Sequence, residues 1–138
     1  MKHEEVKNKP LFNLGEDNPY GDYFIGQSYL ALLAQSPDDS TSVGNVTFEP
    51  GCRNNWHVHL DGYQILLVTG GEGLYQEEGK TARILKAGDV VVTEKGVKHW
   101  HGATNDAWFS HIAITAGSSE FYESVSNKEY EEANIKHS

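Results

Sequence analysis

Two short stretches carry paired histidines, His57-Val58-His59 and His99-Trp100-His101, two residues apart in each case. In a β-strand, residues i and i+2 point to the same face. Two imidazoles side by side on one face can grip a single metal ion. Gln64 stands five residues past His59, so strand parity alone does not join it to the pair. The intervening Asp61-Gly62 is a strong hairpin signal, and it returns the chain so that Gln64 can face back at the histidines. His57, His59, Gln64 and His99 thus make a four-ligand site for one divalent first-row metal. Imidazole suits Zn, Cu, Fe and Ni, and the amide oxygen broadens the choice toward Mn. Manganese is placed first, with Fe, Zn, Ni and Co as alternatives. Three neutral imidazoles and a neutral amide leave the ion its whole charge, so the site is a strong Lewis acid.

His111 is not needed for that ligand set. It lies in Trp108 to Thr115, where His111 and Ala113 share one face and Ile112 and Ile114 the other. A neutral imidazole with a pKa tunable around 6–7 is suited to general base work, which makes His111 the candidate catalytic residue. His101 shares a strand face with His99 and is read as an orienting group, a substrate contact or a hydrogen-bonded rim histidine. Val46 and Phe48 alternate with Thr47 and Glu49. They are candidates for the wall of an apolar substrate pocket, with ordinary core packing as the plainer reading. Cys52 follows a turn glycine, has no activating partner in the sequence and reads as a structural thiol. His3 and His137 sit in polar tails and are given no role.

The elements that must position these groups are short strands. Tyr23 to Ile25, Ser28 to Ala34, Val43 to Glu49, Gln64 to Val68, Leu74 to Gln76, Thr81 to Leu85, Val90 to Thr93 and Trp108 to Thr115 read as strands. Turn signals at Ser36 to Ser40, Glu77 to Lys80, Ala87 to Asp89 and Glu94 to Gly96 separate them. Gly70 to Gly73 reads as a bulge or a turn. Short strands at this density mean an all-β sandwich or barrel. The end differs: Ser126-Asn127-Lys128-Glu129 is an S-x-x-E capping box, which predicts a short helix from Asn127 to about Ile135.

At 138 residues the chain is one domain, expected over 11–138 with a mobile tail at 1–10. A formal charge of −9 argues against nucleic acid and anionic membrane as partners. The single cysteine permits no intramolecular disulfide. The start is polar with no apolar run behind it, and no run approaches a membrane span. A cytoplasmic protein acting on a small molecule is the expectation.

The pattern G-x5-H-x-H-x4-Q-x5-G over Gly51 to Gly70, followed by G-x7-G-x2-H over Gly88 to His99, resembles the two signature motifs of the cupin superfamily. Gln64 stands where the first motif normally has Glu, and Glu94 where the second normally has Pro. The chain is most similar to small single-domain cupins related to bacterial cupin-type hydroxynitrile lyases and carboxymuconolactone-decarboxylase-associated cupins. That further likeness rests on Val46 to Gly51, His99 to Thr104, His111 to Ile114, Val125-Ser126 and Glu129-Tyr130. In that subgroup the fourth ligand is Gln. The resemblance implies an antiparallel double-stranded β-helix, the jelly-roll barrel of cupins, with a short C-terminal helix, usually as a homodimer. It implies a metal-dependent lyase that breaks or forms a carbon–carbon bond beside a hydroxyl or carbonyl group, with His111 moving the proton. Thr115 stands where the lyase pattern carries Gln. An Fe(II) dioxygenase and a non-catalytic, metal-anchored binding module are the alternatives.

Overall fold

The computed structural model describes residue 6 and residues 10–135. The tail expected at 1–10 lies mostly outside the described residues, as do His3 and His137. Among the described residues, twelve strands, a single 3-10 turn at Gly21–Tyr23 and one α-helix form the domain. They are β1 (Glu16–Asp17), β2 (Phe24–Ile25), β3 (Ser28–Gln35), β4 (Thr41–Phe48), β5 (Arg53–Asn54), β6 (His57–His59), β7 (Tyr63–Glu77), β8 (Arg83–Lys86), β9 (Val90–Thr93), β10 (His99–Ala103), β11 (Phe109–Ala116) and β12 (Ser119–Phe121), then α1 (Asn127–Ile135).

All strand pairs are antiparallel, and they form two curled layers. One layer runs β1-β3-β4-β11-β7-β9. The other runs β8-β7-β10-β5-β2, with β6 and β12 attached at the far end of β10. This is the expected jelly-roll barrel with a short C-terminal helix.

The 15-residue β7 belongs to both layers. The Gly70 to Gly73 segment is paired strand rather than a turn, and a bulge lies just before it. Ser110 pairs with Gly70 and the next residue, His111, with Val68, so Thr69 is the extra residue. One extra residue reverses strand parity. Gln64, Leu66 and Val68 face inward before the bulge, and Gly73 and Tyr75 after it. Gly71 takes φ +74° at the corner, and a side chain there would collide with the Trp108 carbonyl.

The interior between the layers is apolar at one end, where Phe48, Leu66, Val68, Leu85, Val91 and Phe109 meet. A second cluster lies outside the barrel, where Trp56, Leu74, Trp100 and Val125 pack under Tyr130 and Ala133 of α1. The capping box is present: Glu129 accepts from the Ser126 backbone at 2.9 Å, and Ser126 Oγ accepts from the Glu129 backbone at 3.1 Å. Arg53 ties the helix down by donating to the Val125 carbonyl and to Asn127 Oδ1, 3.0 Å each.

Candidate metal centre

Strand β6 carries His57 and His59 on one face, and β10 pairs His99 directly opposite His57. The ring centroids of His57 and His99 are 4.1 Å apart, and His59 lies 5.5 Å from the first and 5.2 Å from the second. All three rings are buried, and Gln64, at the start of β7, is buried with them.

Each of these four side chains is held from behind. His57 Nδ1 is 2.8 Å from the Asn55 carbonyl and His99 Nδ1 is 2.9 Å from that of Val97. A carbonyl only accepts, so both Nδ1 atoms carry the proton and both Nε2 atoms carry the lone pair. His59 Nδ1 meets Ser119 Oγ at 3.1 Å, and Gln64 Nε2 donates to Thr115 Oγ1 at 3.0 Å. What remains is buried and without a hydrogen-bond partner: His59 Nε2, His99 Nε2 and Gln64 Oε1. Buried acceptors left unmatched cost about 1–3 kcal/mol each. A cation is the group that satisfies several lone pairs at once, so the residues fit a metal ion.

Charge agrees with this. Burial pushes His99 down to about 4, moves His59 below its ordinary range, and, with His99 adding repulsion, holds His57 far below it. Neutral imidazole is the form that ligates.

His101 lies closer to the group than its candidacy as pocket wall requires. Nitrogens of His57, His99 and His101 all come within 4.8 Å of one another, the one His, Cys, Asp or Glu group of this compactness among the described residues. His101 is engaged elsewhere, however. Its Nδ1 is 3.1 Å from His111 Nε2, its Nε2 is 3.2 Å from Asn54 Nδ2, and its backbone N–H donates to Asn54 Oδ1 at 2.9 Å.

His111 is fully buried between Phe48 and Phe109, 5.4 Å from each ring centroid, and its Nδ1 has no partner. Burial pushes its pKa down to about 3, well below the 6–7 expected from sequence. Phe48 is wholly buried in the apolar interior beside His101 and His111, and Val46, half-buried, is the cross-strand neighbour of His111. The structure therefore brings His57, His59, His99, His101 and His111 together inside the barrel, with Phe48 and Val46 beside His111.

Sequence reading missed the residues behind and beside the ligands. β12 places Ser119 opposite His59 and Phe121 opposite His57. The Phe121 ring stacks on His57 at 5.0 Å, and Tyr23 stacks on Phe121 at 4.4 Å. A three-residue strand after Gly117-Ser118 has no periodicity to announce it.

A family model described as Cupin domain matches residues 44–114. The chain is 45% identical over 94 residues to an (R)-mandelonitrile lyase of Granulicella tundricola, covering 67% of this chain and 71% of that one. A cupin-like protein from Thermotoga maritima superposes with a TM-score of 0.83 at 43% identity, covering 89% of this chain and 96% of that one. A protein with a double-stranded β-helix domain from Klebsiella pneumoniae shares the fold at a TM-score of 0.61 and 21% identity, over 78% and 90% of the two chains.

Proposed function

The chain belongs to the cupin family, and on that premise we propose that it is a metal-dependent lyase cleaving α-hydroxynitriles to a carbonyl compound and cyanide. The observation that carries the proposal is the buried cluster of His57, His59 and His99, with His59 Nε2, His99 Nε2 and Gln64 Oε1 left without partners, beside the buried His101–His111 contact. Likeness to a mandelonitrile lyase supports the substrate class.

His57, His59, Gln64 and His99 would hold the ion, with manganese first in order. A bound divalent ion would supply Lewis acidity to the substrate oxygen. The chain's own residues do the rest. Phe121, half-buried against His57, offers apolar surface for the carbon part of the substrate. The His101–His111 pair takes the hydroxyl proton. The bond to the nitrile carbon then breaks, its electron pair leaves with cyanide, and the proton passes to cyanide as the carbonyl forms. Burial of His111 keeps it neutral and able to accept, and it favours prompt return of the proton because a charged imidazole is costly there.

That weak basicity also favours a second reading, a metal-anchored binding module without turnover. Purified protein loaded with Mn(II) is expected to cleave mandelonitrile above a metal-free control, and His57→Ala to abolish both metal retention and cleavage. Metal retention without cleavage, together with unchanged ligand affinity in His111→Ala, selects the binding module. Absence of metal after reconstitution overturns both.

The partner proposed besides the substrate is a second copy of the chain. Tyr63, Leu67, Val90 and Val92 leave an exposed apolar strip on the outer face of β7 and β9. Val92→Lys is expected to lower the sedimentation mass of a dimer, and an unchanged mass removes this strip as the interface. Among the described residues no helix is long and apolar enough to cross a membrane.

A further inference from the structure

The four side chains proposed to hold the ion are not anchored alike. His57 and His99 lean on carbonyls of Asn55 and Val97, two residues before each ring in the same chain segment. Those acceptors are backbone and no substitution removes them. His59 and Gln64 depend on side chains. Each hydroxyl belongs to the residue directly across the ladder: Ser119 faces His59 from β12, and Thr115 faces Gln64 from β11. On its other side Gln64 faces Thr93, but that hydroxyl meets the Tyr75 phenol at 2.7 Å. Thr115 is therefore the hydroxyl that receives the Gln64 amide.

Resting on the metal reading above, we propose that Ser119 and Thr115 are positioning residues of the metal centre, Ser119 holding the His59 ring by Nδ1 so that Nε2 faces the ion and Thr115 holding the Gln64 amide by Nε2 so that Oε1 faces it. An amide has a donor end and an acceptor end of nearly equal size, and only the acceptor end can ligate. With Nε2 committed to Thr115, Oε1 is the end left buried and unpartnered. Imidazole has the same two-way ambiguity. With Ser119 Oγ 3.1 Å from Nδ1, Nε2 is the nitrogen left over, and it is likewise buried and unpartnered. Loss of such supporting partners typically lowers metal affinity about 10–100-fold.

The test is a titration of Mn(II) alone, and of Co(II) with its visible absorption, into wild type, His57→Ala, Ser119→Ala, Thr115→Val, Ser119→Thr and Thr115→Ser, with metal-free melting temperatures in parallel. Ser119→Ala and Thr115→Val are expected to weaken binding about tenfold or more with altered Co(II) spectra. Ser119→Thr and Thr115→Ser, which keep the hydroxyl, are expected to bind as wild type. If wild type binds, His57→Ala does not, and the two hydroxyl deletions bind unchanged, the positioning role is overturned while the metal reading stands, and the ion belongs with His57, His99 and His101. If wild type binds nothing, the metal reading itself falls. Should Thr115→Val fail to melt cooperatively, Thr115→Ala takes its place. Equal weakening by Thr115→Ser and Thr115→Val marks a packing role and overturns the proposal.

Discussion

Strand β10 has two sides that live in different chemistry. His99 and His101 point into the barrel among nitrogen and oxygen atoms, some of which have no partner. Trp100, between them, points outward into the cluster under α1, fully buried, with its indole N–H donating to Gln76 Oε1 at 3.0 Å. The outer cluster is apolar and satisfied, and it holds the fold. The inner end is polar and unsatisfied, and it costs stability until something binds there. One strand thus carries a stabilising face and a functional face back to back, the local rule being broken where function is expected.

The contrast is open to measurement. The largest change is expected from Trp100→Ala, about 3–5 kcal/mol of lost stability from cavity formation, read by denaturant unfolding of the metal-free protein. His99→Leu, on the other side of the strand, is expected to cost far less in the same assay while eliminating metal binding. A comparable loss in the two variants would erase the distinction.

Next in size is the ion. Mn(II) at 1,000 times its Kd is expected to raise unfolding free energy by about 4 kcal/mol. The gain should survive in a Ser126→Ala background and vanish in His57→Ala. A metal-independent unfolding curve would show that the inner end is not waiting for a cation.

Smaller again is the effect of acid on the metal-stripped protein. His111 falls from 6.5 in the open chain to about 3 in the fold, and His99 to about 4. The unfolded chain then binds more protons than the folded one between these values. Stability is whole above about pH 6.5 and declines as pH falls below it, by up to about 1.4 kcal/mol per pH unit for each such histidine. Replacing His111 by Asn should shallow that slope, and an unchanged slope would place the titrating groups elsewhere. Smallest is Ser126→Ala, which removes the capping hydroxyl at α1 for about 1 kcal/mol and should leave metal affinity untouched.

Much of this division was legible before the structure. The i, i+2 histidines follow from strand periodicity, β9 and α1 fall on the stretches read for them, and the capping box closes as its spacing requires. The near misses are informative. β8 begins two residues later than Thr81, since Ala82 forms only an isolated bridge and the ladder with β7 starts at Arg83. β7 was legible as two strands because Gly70 to Gly73 carries turn residues, yet pairing is handed over there without a break, the β11 ladder reaching Gly71 and the β8 ladder starting at Glu72. Ser119 and Thr115 were invisible for another reason. Their meaning lies in the residue across the ladder, and Gln64 and Thr115 are 51 positions apart. Register is a property of the assembled sheet, and no local window contains it. The depressed basicity of His111 is likewise set by burial in the assembled barrel, where Phe48 arrives from β4 to join Phe109 of its own strand.

The double membership of β7 bears on how quickly the molecule can assemble itself. It pairs with β8, β9, β10 and β11, and most of those partners are distant along the chain. Neither layer can close before that strand is in place, and each closure loses the entropy of a long loop before any contact repays it. Folding in milliseconds to seconds is expected of such a topology. Leu66→Ala, in the first half of β7, should then slow refolding, whereas Ser126→Ala, at the helix outside both layers, should chiefly hasten unfolding. The strand that brings Gln64 to the histidines would also be the one that sets the tempo of the whole chain.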